Sequence, residues 1–228
     1  MKWPGLLDRL VDFDDRLFRN IATCAPSQHL LDDLSNDPVD WAIGEQAAGQ
    51  EQPQELLPLL SRPFSYGVGI APGGGTPISR FSDGSQYGVW YGSLKLEITI
   101  YETVYHWLSF LRDAKLDYSG EVIADRRIFT ARGRGLLVDL RGKEKRYPGL
   151  VHSSSYVFTH AVGSFLREQH QAGLLVKSAR GEGFNAGVFS PKFLSDPRHE
   201  CYVFYRWQSG SREVRVDRPM GMRWMKIG

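Results

Sequence analysis

Apolar residues near the start of the chain recur three and four positions apart. Leu6, Leu7, Leu10, Val11, Phe13, Leu17 and Phe18 are separated by acidic and basic residues, which predicts an amphipathic helix. Pro26 and Ser27 interrupt it, and residues 28–34 read as the start of a short second helix. Residues 44–58 are rich in Gln, Glu, Gly and Pro, as linkers are. The pattern divides the chain into a helical extension over residues 1–60 and a main domain over 61–228. The extension's apolar stripe either packs on that domain or docks a partner.

From residue 65 the rhythm changes. Residues 66–70 and 76–81 read as short strands around the loop Pro72-Gly-Gly-Gly75, followed by the turn Ser82-Asp-Gly84 and an extended run over 88–92. Residues 94–112 fit both periods, but Ile100, Val104, Trp107, Leu108 and Leu111 share a helical face, and the length favours a helix. Strands are expected over 121–130 and 136–140. A helix follows over 156–171, with Val157, Ala161, Phe165 and Leu166 as its buried stripe. Further strands are expected over 174–176, 186–189 and 201–207, with a last hairpin over 212–216 and 222–227. Strands and helices mix without regular alternation, so the fold class is α+β.

Composition narrows the function. With 28 Lys and Arg against 26 Asp and Glu, the net charge is only +2, too mild for a nucleic-acid surface. The basic run from Arg141 to Arg146 reads as a solvated loop. Cys24 and Cys201 form no metal-binding pattern, the six histidines have no ligand spacing, and no metal site is expected. No secretory signal and no membrane-spanning apolar run is visible, so the cytoplasm is the default compartment.

The chemistry concentrates in three segments: Ser79-Arg-Phe-Ser-Asp-Gly84, Trp90-Tyr-Gly-Ser93 and Ile100-Tyr-Glu-Thr103. In them Arg80, Tyr91 and Glu102 are each 11 residues apart. A later segment, Gly173-Leu-Leu-Val-Lys-Ser178-Ala-Arg180, is followed by Asn185 and Val188-Phe189. In this order the segments resemble the core of the RES family, named for its Arg, Glu and Ser residues. The likeness spans roughly residues 62–192. Relatives often carry a tyrosine before the late serine, where this chain has Val176-Lys177.

The resemblance implies an ADP-ribosyltransferase-like split mixed β-sheet with flanking helices. It implies a toxin that consumes NAD+ as substrate, with no further cofactor, and that is paired with an Xre-like antitoxin. A homo-oligomer is compatible with it. By position Arg80, Tyr91, Glu102 and Ser178 match the family's functional set.

The residue types suit that chemistry. Cleaving the nicotinamide–ribose bond develops positive charge on the ribose, which a carboxylate such as Glu102 stabilises. Arg80 suits a diphosphate, and Tyr91 offers a face for nicotinamide and a hydroxyl. Ser178, Arg180 and Asn185 supply hydrogen bonds to phosphate or ribose. The acceptor of the ADP-ribose is water, phosphate or a protein, and a non-catalytic NAD-binding module is the remaining alternative. His106 and His160 read as structural. No Gly-x-Ser-x-Gly elbow is present to support a serine hydrolase.

Overall fold

The computed structural model describes residues 3–23, 53–65, 78–114 and 119–228. Its elements in chain order are β1 (Leu10–Ala22), α1 (Pro53–Ser65), β2 (Trp90–Ser93), α2 (Leu96–Asp113), β3 (Glu121–Asp139) and α3 (Val157–Glu168). They continue with β4 (Gly173–Lys177), β5 (Phe184–Val188), β6 (Leu194–Gln208), β7 (Val214–Asp217) and β8 (Arg223–Ile227). The eight strands form one mixed sheet in the order β1-β2-β5-β4-β3-β6-β7-β8. Only β3 and β4 run parallel. The α+β class is therefore as expected.

An additional β1–β3 pairing closes β1, β2, β5, β4 and β3 into a ring. Strands β6, β7 and β8 extend from β3 as an arm. Helix α2 covers the arm, placing Ile100, Val104 and Leu108 against Ile128, Val203, Tyr205, Val214 and Val216. Helix α3 sets Val162 and Leu166 on Phe81, Leu140 and Leu174. Its buried stripe differs from expectation, because Val157 is exposed and Ala161 and Phe165 are half-buried, while Thr159 and Gly163 join Leu166 in the interior. Among the described residues no helix is long and apolar enough to cross a membrane.

The helix expected at the N-terminus is instead strand β1. Val11, Phe13, Leu17 and Ile21 alternate onto one face, against Leu56, Leu60, Trp90 and Phe129. Phe18 points the other way, into the layer beneath α2, and Asn20 donates to Tyr205 Oη at 2.7 Å. A strand covered on both faces carries apolar residues in both registers, which imitates helical spacing. All 13 residues of β1 pair with β3, from Leu10↔Val138 to Ala22↔Arg126. Residues 10–22 are thus part of the main sheet and not a helical extension. The stretch before them packs as well: Trp3 meets Phe158 and Phe165 edge-on at 5.9 and 5.7 Å.

Other expectations shift in smaller ways. The linker expected over 44–58 gives way at residue 53 to α1, anchored by buried Leu56 and Leu60. The helix at 28–34, the strand at 66–70 and the loop at 72–75 lie outside the described residues. The described part of the expected 76–81 strand is a tight turn, closed by Ser79 N–H donating to Ser82 O at 2.8 Å. The two strands expected over 121–140 are one, β3, running through Gly133 and Gly135. At Gly133 a Cβ would lie 2.6 Å from the Phe193 ring, so glycine marks close packing there and not a break.

Candidate active site

Each site residue is placed by its element. The Ser79–Ser82 turn is pinned by buried Phe81, and this carries Arg80 inward until only 4% of it is exposed. Its Nη1 donates to the carbonyls of Leu150 (3.4 Å) and His152 (3.0 Å). The guanidinium lies over the Tyr156 ring, 4.7 Å from its centroid. Nη2 is buried and has no partner among the described residues.

Strand alternation puts Tyr91 and Ser93 on one face of β2. The β2–β5 register sets Ser93 opposite Asn185. Glu102 comes from the buried side of α2, and the next residue, Thr103, ties the helix to the sheet through Tyr205 Oη at 2.7 Å. Ser178 directly follows β4, its N–H held by Gly183 O at 2.8 Å.

These side chains meet in one network. Ser178 Oγ donates to Glu102 Oε1 at 2.8 Å, and Asn185 Nδ2 donates to the same oxygen at 2.7 Å. Asn185 Nδ2 also donates to Tyr91 Oη at 2.8 Å, while Ser93 Oγ donates to Asn185 Oδ1 at 2.6 Å. Arg180 N–H donates to Ser178 Oγ at 3.1 Å. The Arg180 guanidinium stacks on Tyr105, 3.4 Å from the ring centroid, and donates to Ser153 O. Its Nε is buried without a partner among the described residues.

The electrostatics follow from this crowding. Burial, and after it the negative charge of Glu102, pushes the Tyr91 phenol well above its usual range; Arg80 and the Asn185 bond pull the other way. Desolvation lowers His106 despite the pull of Glu102, and Arg180 and Arg80 add to the lowering. Two cationic groups and one carboxylate thus act on the same small space.

Of the six residues singled out from the sequence, hydrogen bonds join Tyr91, Glu102, Ser178, Arg180 and Asn185, and Arg80 lies near enough for its charge to act on Tyr91. Ser178 and Asn185, expected to bind ligand, direct their polar atoms at Glu102. His160 bonds Ser79 O through Nε2 at 2.9 Å, supporting the turn beside Arg80. Sequence reasoning gave no role to Ser93, although its place two residues after Tyr91 on a strand marks the shared face. It also missed Tyr105 and Tyr156, whose only sign is an aromatic side chain near a helix.

No curated protein matches this chain. Among solved structures, a chain in the crystal structure of the M. tuberculosis MbcT-MbcA toxin-antitoxin complex is similar at 14% identity. The alignment covers 90% of this chain and 93% of that one, with a TM-score of 0.48. The family model for the RES domain matches residues 52–208. That span holds every residue of the network, and the chain belongs to the RES domain family.

Proposed function

We propose that this protein breaks the nicotinamide–ribose bond of NAD+, passes the ADP-ribose to water or phosphate, and acts as a toxin by depleting NAD+ in the cytoplasm. One observation carries the reading: a buried carboxylate, Glu102, whose Oε1 receives hydrogen bonds from both Ser178 and Asn185. Among the described residues no hydrogen bond reaches Oε2, which leaves that oxygen for the ribose.

As the C–N bond breaks, nicotinamide leaves with the electron pair and positive charge grows on the ribose. A fixed carboxylate in a dry site stabilises that charge without reorganising. The acceptor oxygen then bonds to the ribose carbon and releases its proton to solvent. The unpartnered nitrogens of Arg80 and Arg180 suit the diphosphate. Tyr91, held protonated, keeps a hydroxyl donor and an aromatic face beside the nicotinamide. An Xre-like antitoxin is the partner that the RES resemblance supports, and co-purification of the co-expressed pair tests it.

The experiment is nicotinamide release from NAD+ by purified protein, with mass spectrometry of the products with and without phosphate. Glu102→Gln keeps the shape of the side chain and removes its charge. Its rate is expected to fall by roughly 10²–10³-fold. Growth arrest on expression should disappear with it. ADP-ribose found only on a protein would redirect the reading to an ADP-ribosyltransferase, and equal rates in both forms would overturn it.

A further inference from the structure

We propose that Ser93 and Asn185 are positioning residues that lock the Glu102 carboxylate and the Tyr91 hydroxyl into one rigid unit. This role rests on the nicotinamide-releasing reading above. Neither side chain is open to a ligand, since Ser93 is 2% exposed and Asn185 0%. Whatever they contribute acts through other groups.

An asparagine amide has one oxygen acceptor and two N–H donors. Here the oxygen accepts from Ser93, and the donors serve Tyr91 Oη and Glu102 Oε1. Turning the amide over would set its oxygen 2.7 Å from a carboxylate oxygen with no proton between them. The Glu102 end therefore rejects the flipped amide, and the Ser93 end stops the amide plane from swinging. The backbone sets the unit before any ligand arrives, because Ser93 and Asn185 are direct cross-strand partners and Tyr91 shares their face. Ser178 approaches the same Glu102 oxygen from β4. Glu102 is thereby fixed about its terminal torsion, with Oε2 turned from the network.

Buried polar groups are costly unless satisfied, and a satisfied network specifies one arrangement. The apolar neighbours on the same two strands, Trp90, Ala186 and Val188, point to the opposite face of the sheet and serve packing there. The serine–asparagine pair instead supplies orientation.

The test uses full-length protein and the variants Ser93→Ala, Ser93→Thr, Asn185→Ala and the double alanine. Two readouts are taken: nicotinamide release, and hydrogen exchange of the Asn185 side-chain amide by NMR (wild type and Ser93 variants). For Ser93→Ala, kcat should fall roughly 10-fold with KM changed by less than about two-fold, because geometry and not binding is lost. Asn185→Ala should lose roughly 100-fold, and the double variant no more, since the serine acts only through the amide. Ser93→Thr retains the hydroxyl and should recover most of kcat.

The Asn185 amide protons should exchange slowly in the wild type and about 10-fold faster in Ser93→Ala. Unchanged kcat in a folded Ser93→Ala, losses that multiply in the double variant, or unchanged exchange would each overturn the proposal. Faster exchange in Ser93→Ala, with a wild type that releases no nicotinamide, would overturn the reaction reading alone.

Discussion

Tyr91 sits where two kinds of chemistry meet, a buried phenol and the charge of a neighbouring carboxylate. Both drive its ionisation well above the usual phenol range, burial first and Glu102 second. The hydroxyl therefore stays protonated, and no alkaline limb of the rate profile below about pH 10 should belong to it. Tyr91→Phe keeps the ring and leaves one Asn185 N–H unpaired. We expect a loss of about 1 kcal/mol in urea unfolding and a roughly ten-fold fall in kcat. A phenylalanine variant with full kcat would assign the hydroxyl to packing alone. The order and spacing of Arg80, Tyr91 and Glu102, matched to the RES core, made them legible in the sequence. The partner of Glu102 was not, because Asn185 lies 83 residues away on another element and only the tertiary fold joins them. An arginine beside a turn is ordinarily a surface residue; what holds Arg80 inside is the carbonyl pair at Leu150 and His152, far along the chain.

At the level of elements, the placement of Arg80 depends on how closely α3 crosses the Ser79–Ser82 turn. Gly163 makes that crossing possible. A Cβ there would collide with the Phe81 carbonyl, whose carbon would lie 2.9 Å away, and with Tyr87 Oη, also at 2.9 Å. The carbonyl cannot simply rotate aside, since Tyr87 Oη donates to it at 2.8 Å. Alanine improves helix propensity by roughly 1 kcal/mol, but overpacking typically costs about 1–3 kcal/mol. Because the clash is with backbone that is itself held in place, Gly163→Ala should be clearly destabilising in urea, and it should raise KM for NAD+ by shifting Arg80. Unaltered KM would show that the turn tolerates the displacement. Elements with a single covered face, such as α2 and α3, were readable from their periodicity. β1 was misread because Phe13 and Leu17 face one layer while Phe18 faces another. β3 was divided at Gly133 and Gly135, where glycine answers to the neighbouring Phe193 ring and, at Gly135, to a positive φ. Neither cause is local to the sequence.

Across the whole molecule, stability rests on contacts that join distant parts of the chain, and acid should loosen one of them. His199 on β6 accepts from Arg127 Nε through Nδ1 at 3.2 Å. Burial first, and the Arg127 charge second, hold its ionisation down to about 4. An unfolded histidine titrates near ~6.5, so the unfolded chain takes up the proton first. The stabilising contribution is complete above about pH 6.5 and is lost as pH falls toward about 4. His199→Gln, which does not titrate, should flatten the fall in urea midpoint across that window; an unchanged slope would place the acid sensitivity elsewhere. The N-terminal strand is a larger tie. Leu6, Phe13 and Leu17 are buried in two different core clusters, and each buried side chain of this size contributes about 1.5–3 kcal/mol. Their sum approaches the roughly 5–15 kcal/mol that holds an ordinary domain. Deletion would also strip β3 of its β1 hydrogen bonds and leave Tyr205 without the Asn20 bond beneath α2. A chain beginning at residue 24 should therefore show no cooperative urea transition, where the full chain shows one. A cooperative transition in the shortened chain would mean that the first strand is an accessory to the sheet, and docking of a partner would again become its best explanation.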